Sequence, residues 1–115
     1  MTVDDAIELG LKTLAAAGIT DYAVQVIEEF TDVPLRAGMH SSHERMITLS
    51  AFYLSDDAVM KDTVDHEVAH ALAPGDHDHG LPFQVALEHV RKLDVEGFAG
   101  IYTYADQLLA EREEE

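Results

Sequence analysis

The sequence predicts an α+β domain in which helices flank a small, mostly antiparallel three-stranded sheet. Three observations predict it. An apolar stripe at helical spacing opens the chain, one β-rich segment and two further short extended candidates fall between Tyr22 and Ser50, and two further helical stretches follow Ser55, separated by Pro74-Gly75.

The opening helix is read over residues 3 to 17, where Val3, Ile7, Leu11 and Leu14 recur at spacings of three and four. Thr2 or Asp4 can cap its first turn, and Gly18 can end it. Extended segments are expected at Tyr22–Ile27, which is rich in residues that suit a pleated surface, and at the short candidates Val33–Ala37 and Arg45–Ser50. Between the last two, Gly38 to Glu44 is polar and reads as a turn carrying His40 and His43.

Ser55 followed by Asp56 and Asp57 is a helix start, since a hydroxyl can accept from free amides and acids suit the positive end of the dipole. That helix is expected to run to about Ala73. The polar loop Gly75 to Gly80 then leads into Pro82 at a first-turn position, with Phe83, Ala86, Leu87 and Val90 forming the apolar stripe of a further helix. Residues 97 to 110 are expected to be helical in their latter part, and residues 111 to 115 form an acidic tail. A single domain over residues 1 to 110 accounts for the length, because 115 residues with 47% hydrophobic content suffice for one core.

Seven Lys and Arg stand against 23 Asp and Glu, a formal charge of −16. Such a field repels phosphate backbones and anionic lipid surfaces, so nucleic acid and membrane are not expected as partners. With no cysteine, thiol catalysis and cysteine zinc ribbons are excluded, and any metal must be held by His and carboxylates. The N-terminus lacks a basic start and an apolar run, and no segment approaches membrane-spanning length, so a cytoplasmic protein is the default expectation.

The residues that carry chemistry are His66-Glu67-Val68-Ala69-His70. Two histidines four apart on a helix share one face and can hold a single Zn²⁺, while Glu67 beside them can accept a proton from water. A catalytic zinc needs a third protein ligand, and Asp76, His77 and His79 all lie within nine residues of His70. Asp76 would be the ligand in a compact zincin pattern, but Ala73 occupies the position where that pattern has glycine. Glu88 or Glu96, from the following helix, is a further alternative. His77 is read as solvated or as supporting a ligand, and His40, His43 and His89 as surface or packing residues. Asp62 and Asp65 are read as solvated helix acids that could instead orient an imidazole, and Tyr102 and Tyr104 as residues with no required role.

Taken with His79-Gly80-Leu81-Pro82-Phe83, the pattern HExxH followed by HGxxF resembles the SprT-like zinc metallopeptidases. Ala37-Gly38, the segment Ile47-Thr48-Leu49-Ser50 and the acidic helix start follow the same layout, so the resemblance covers roughly residues 3 to 93. It implies a minimal zincin-like domain with His66, His70 and His79 on zinc, Glu67 as general base, and a peptide or protein substrate. Many members also carry a cysteine ribbon or DNA-binding segments, and the best known cleave proteins crosslinked to DNA. This chain has neither feature and an opposing charge, so the DNA-linked substrate is not carried over. Hydrolysis of a non-peptide bond, RNA included, and a zinc-stabilised binding module without turnover are the alternative functions.

Overall fold

Thr2 begins the first helix, α1 (Val3–Ala16), with a reciprocal cap: its hydroxyl accepts from the Asp5 amide at 3.1 Å while the Asp5 carboxylate accepts from the Thr2 amide at 3.0 Å. Gly18, at φ +82°, turns the chain out of the helix as the sequence predicts. A computed structural model describes residues 1–33, 35–98, 100 and 101. The helix expected over 97 to 110 lies outside the described residues beyond position 101, as do the acidic tail, Tyr102 and Tyr104.

Three strands follow, β1 (Ala23–Ile27), β2 (Gly38–Ser41) and β3 (Met46–Ser50), in the spatial order β1-β3-β2. The sheet is mixed rather than mostly antiparallel: β1 runs parallel to β3, and β2 antiparallel to it. After β1 the chain passes to the far side of β3 before returning through the β2–β3 hairpin, which makes its first and last strands point the same way.

The middle strand also lies further along than the sequence suggests. Residues 33 and 35 to 37 are not strand, and Leu35 sits at φ +65°, a left-handed conformation incompatible with a ladder. Gly38 to Ser41, expected to belong to a turn, pair with Leu49 to Met46 instead, leaving only positions 42 to 45 to turn the chain. Short polar strands give little period-two signal, so tertiary pairing decides their place.

A single 3₁₀ turn, Ala51–Tyr53, carries the chain from β3 to α2 (Asp57–Leu72), followed by α3 (Leu81–Arg91). Asp56, not Ser55, caps α2, its carboxylate accepting from the Val59 amide at 3.1 Å. This helix contacts α1, α3, β2, β3 and the 3₁₀ turn. Met60, Val64 and Val68, at successive spacings of four, are fully buried with Ala6, Leu9 and Leu14 of α1, Ile47 and Leu49 of β3, and Val90 of α3. Each of these Val, Leu, Ile and Met side chains removed from water contributes about 1.5–3 kcal/mol.

Helix α2 is also buried where it is polar. Lys61 is 0% and Asp65 3% exposed, and the two form an ion pair one helical turn apart. Asp65 is therefore not the solvated acid expected; burial pushes its carboxyl up to about 6 even against the pull of Lys61. Among the described residues, no helix is long and apolar enough to cross a membrane.

Gly38 sets how closely β2 approaches α2. A Cβ there would lie 2.6 Å from the Thr63 methyl and 3.3 Å from Glu67 Cγ, so only glycine fits without displacement. Gly38→Ala should destabilise the protein by about 1–3 kcal/mol in denaturant unfolding, and Thr63→Ser, which deletes the opposing methyl, should recover a substantial part of that loss in the double variant.

Candidate metal centre

His66 and His70 project from α2 onto the side that faces β2 and the start of α3, and His79 meets them from the loop ahead of α3. One ring nitrogen from each lies within 4.8 Å of the others. The Nε2 atoms of His70 and His79 are 3.0 Å apart, close to the roughly 3.3 Å that separates two imidazole nitrogens on one tetrahedral zinc. Three imidazoles converging in this way are a donor set that fits a transition metal of the zinc type.

Two features bring His79 into place. The first is Asp76, whose carboxylate accepts from the Gly80 amide at 3.0 Å and the Phe83 amide at 3.1 Å. It caps α3 from a distance, because Gly80 has no side chain and Pro82 no amide hydrogen to offer. These bonds hold the Asp76 carboxyl below its ordinary range. Asp76 shapes the loop, and among the described residues only His66, His70 and His79 converge. The second is the backbone of His79 itself, at φ +57°, which directs the ring back toward α2.

Phe83 lies against all three rings, with centroids 4.9 Å from His66, 4.6 Å from His70 and 4.4 Å from His79, and it is only 3% exposed. It belongs to the core, as its helical stripe predicts, and it also supports the cluster. The burial that results pushes the His66 and His70 imidazoles down, His70 to about 4, with the neighbouring histidines adding to the effect. Unprotonated rings are the form that binds metal.

Glu67 is one residue along the helix from His66 and is 6% exposed. Burial raises its carboxyl to about 7, while the nearby Arg36 guanidinium pulls it down. His66, Glu67, His70 and His79 border one open cleft of about 310 Å³, together with Arg36, Gly38 and His40. A second lobe of about 260 Å³ continues from Gly38, His66 and Glu67 toward Asp62 and Thr63.

The other candidate residues fall differently. Glu88 is exposed and pairs with Lys92 at 3.1 Å, Glu96 is exposed, and neither joins the cluster. Asp62 lies 3.6 Å from Arg91 rather than being simply solvated. His43 and His89 are exposed, whereas His77 is exposed but borders the cleft. His40 packs, one of the two roles expected of it, but it does so at the cleft. It lines the cleft, its ring stacks on that of His70 at 6.0 Å, and its Nε2 is 2.8 Å from the Tyr22 hydroxyl. Its register partner is Ile47 and that of Gly38 is Leu49, so both residues face α2. With the strand drawn at 38 to 41, that alternation would have pointed to His40.

Zinc titrated into metal-free protein should bind at about one ion per chain. Asp76→Ala should weaken it about 10–100-fold by releasing His79, and Asp76→Asn, which keeps an acceptor oxygen, should weaken it less. Equal, near-total loss in both variants would instead make Asp76 a ligand. A separate expectation concerns acid. Because the native pKa of His70 is depressed from 6.5 to about 4, the unfolded chain binds its proton more readily across that interval. The stability tied to His70 is therefore present above about 6.5 and lost as pH falls toward about 4. In NMR titration of the metal-free protein, the His70 ring should remain neutral near pH 5.5, where a free imidazole is mostly charged.

Compared with protein-family models, curated proteins and solved structures, the chain finds no match.

Proposed function

We propose that this chain is a zinc-dependent metallopeptidase with a minimal zincin-like domain, in which His66, His70 and His79 hold the metal and Glu67 is the general base. The observation that carries this reading is the placement of a buried carboxylate and three converging imidazoles on one open cleft. A metal kept only for structure would have no use for Glu67 beside it or for an open approach. The resemblance of His66–His70 and His79–Phe83 to the SprT-like pattern supports the same reading.

Bound by these histidines, zinc would act as a Lewis acid that polarises a carbonyl and makes water a stronger nucleophile near neutral pH. The chain's own groups account for the rest. The Glu67 carboxylate takes a proton from the attacking water as its oxygen bonds to the carbonyl carbon, and the carbonyl electron pair moves onto oxygen. When the carbon–nitrogen bond breaks, Glu67 returns that proton to the departing amine. In the metal-free protein burial raises this carboxyl to about 7, and a cation held by the neighbouring histidines would favour its ionised form, the form a general base needs.

A peptide is favoured over other hydrolysable groups by β2, an edge strand that contributes Gly38, Met39 and His40 to the cleft. An extended peptide can pair with such an edge and so align its backbone with the metal. The charge of −16 weighs against RNA.

Glu67→Gln tests the proposal. It should bind zinc as the parent does and lose hydrolysis of unfolded protein or quenched fluorescent peptides by about 10²–10⁴-fold in kcat. Full activity in that variant, or no peptide hydrolysis by the zinc-loaded parent, would overturn it.

A further inference from the structure

His40 is packed in place at the edge of the cleft, beside the histidine cluster and Glu67. It stands on β2, next to the cleft and on the face turned toward α2, with its ring stacked 13° from coplanar with that of His70. Its orientation is held from outside the cleft. Tyr22, immediately before β1, reaches across the end of β3 so that its ring stacks on His40 at 5.6 Å and its hydroxyl meets Nε2 at 2.8 Å. The contact joins residues 18 positions apart and is partly buried, so it holds the imidazole more firmly than an exposed side chain.

The chemistry of the pair decides which nitrogen remains available. A phenol is a good donor and a poor acceptor, whereas an unprotonated imidazole nitrogen is a good acceptor, so the Tyr22 O–H donates to Nε2. The ring proton then resides on Nδ1. Among the described residues Nδ1 has no hydrogen-bond partner, although its ring borders the cleft that holds Glu67 and the histidine cluster.

We propose that His40 is a further catalytic residue, whose Nδ1–H donates to the substrate carbonyl oxygen as negative charge develops there, and that Tyr22 is its positioning residue. The inference rests on the hydrolase reading above and adds the group that meets the oxygen while Glu67 handles the proton. A donor fixed before reaction needs no rearrangement as the charge appears, and for that reason such groups act mainly on turnover. The water proton still passes to Glu67 and then to the amine, so His40 lends a hydrogen bond without losing its proton.

The test uses zinc-loaded full-length protein, with Glu67→Gln run alongside. His40→Ala should lower kcat by about 10²-fold with zinc content retained and a much smaller change in KM. Tyr22→Phe, which keeps the stacked ring and removes only the hydroxyl, should lower kcat by about 10-fold. His40→Asn, which returns an amide N–H near the Nδ1 position, should recover part of the loss and guards against a folding defect in the alanine variant. Nitrogen NMR of the metal-free protein gives a readout independent of turnover: the neutral His40 ring should carry its proton on Nδ1, and Tyr22→Phe should shift it toward a mixture of tautomers. If the parent hydrolyses peptides and Glu67→Gln does not, yet His40→Ala turns over normally or the ring proton lies on Nε2, this role is overturned and the hydrolase reading stands. Absence of hydrolysis by the parent, or its survival in Glu67→Gln, would overturn both.

Discussion

Almost everything in this protein depends on α2 being packed from several directions at once. Met60, Val64 and Val68 lock one face into the core shared with α1, β3 and α3. Roughly a third of a turn around the same cylinder, Thr63, His66, Glu67 and His70 look into the cleft. The burial that secures the helix therefore also fixes the rotation of its polar face, and a helix able to roll would blur the relation between Glu67 and the imidazoles. The Lys61–Asp65 pair is consistent with this. Charged groups are found at that depth because the chain surrounds the helix there, and each tempers the desolvation of the other.

Around that helix, three close approaches define the cleft. Gly38 lets β2 come against Thr63 and Glu67, so the sheet edge becomes one wall. Phe83 comes against the three imidazoles from the other side and removes water from beneath them. Asp76 closes the loop between, satisfying the amides at the start of α3 so that His79 can leave the regular backbone path. Each is a small local device, and each converts the packing of a helix or strand into the position of a side chain in the cleft.

The electrostatics of the cleft differ from those of the rest of the molecule. The chain carries 23 acidic side chains, yet among the described residues the main lobe of the cleft is bordered by one carboxylate, Glu67, together with Arg36 and a group of imidazoles. Burial disfavours the charged forms of His66, His70 and Glu67, so in the metal-free lobe the Arg36 guanidinium is the main fixed charge. A divalent cation bound there would become the largest local charge, and would reset the pKa values around it.

By itself the sequence determined the features that are local in character. The cap at the start of α1, offered by Thr2 or Asp4 and made by Thr2, the Gly18 stop, the end of α2 ahead of Pro74, the first-turn proline of α3 and the one-turn spacing of His66 and His70 all depend on residues within a few positions of one another, and all are found. The choice of His79 from among Asp76, His77 and His79 came from the resemblance, because spacing alone leaves all three open. What only the tertiary structure decided is non-local. The parallel pairing of β1 with β3 depends on which way the intervening chain travels, the strand at Gly38–Ser41 on pairing with β3, and the burial of Asp65 on α2 being enclosed. His40 is the plainest case: on a polar segment it reads as a surface or packing histidine, and only the sheet register, Tyr22 from before a different strand and His70 from a helix give it a place in the cleft. Local periodicity records how a segment folds on itself, and it carries no record of what that segment will face.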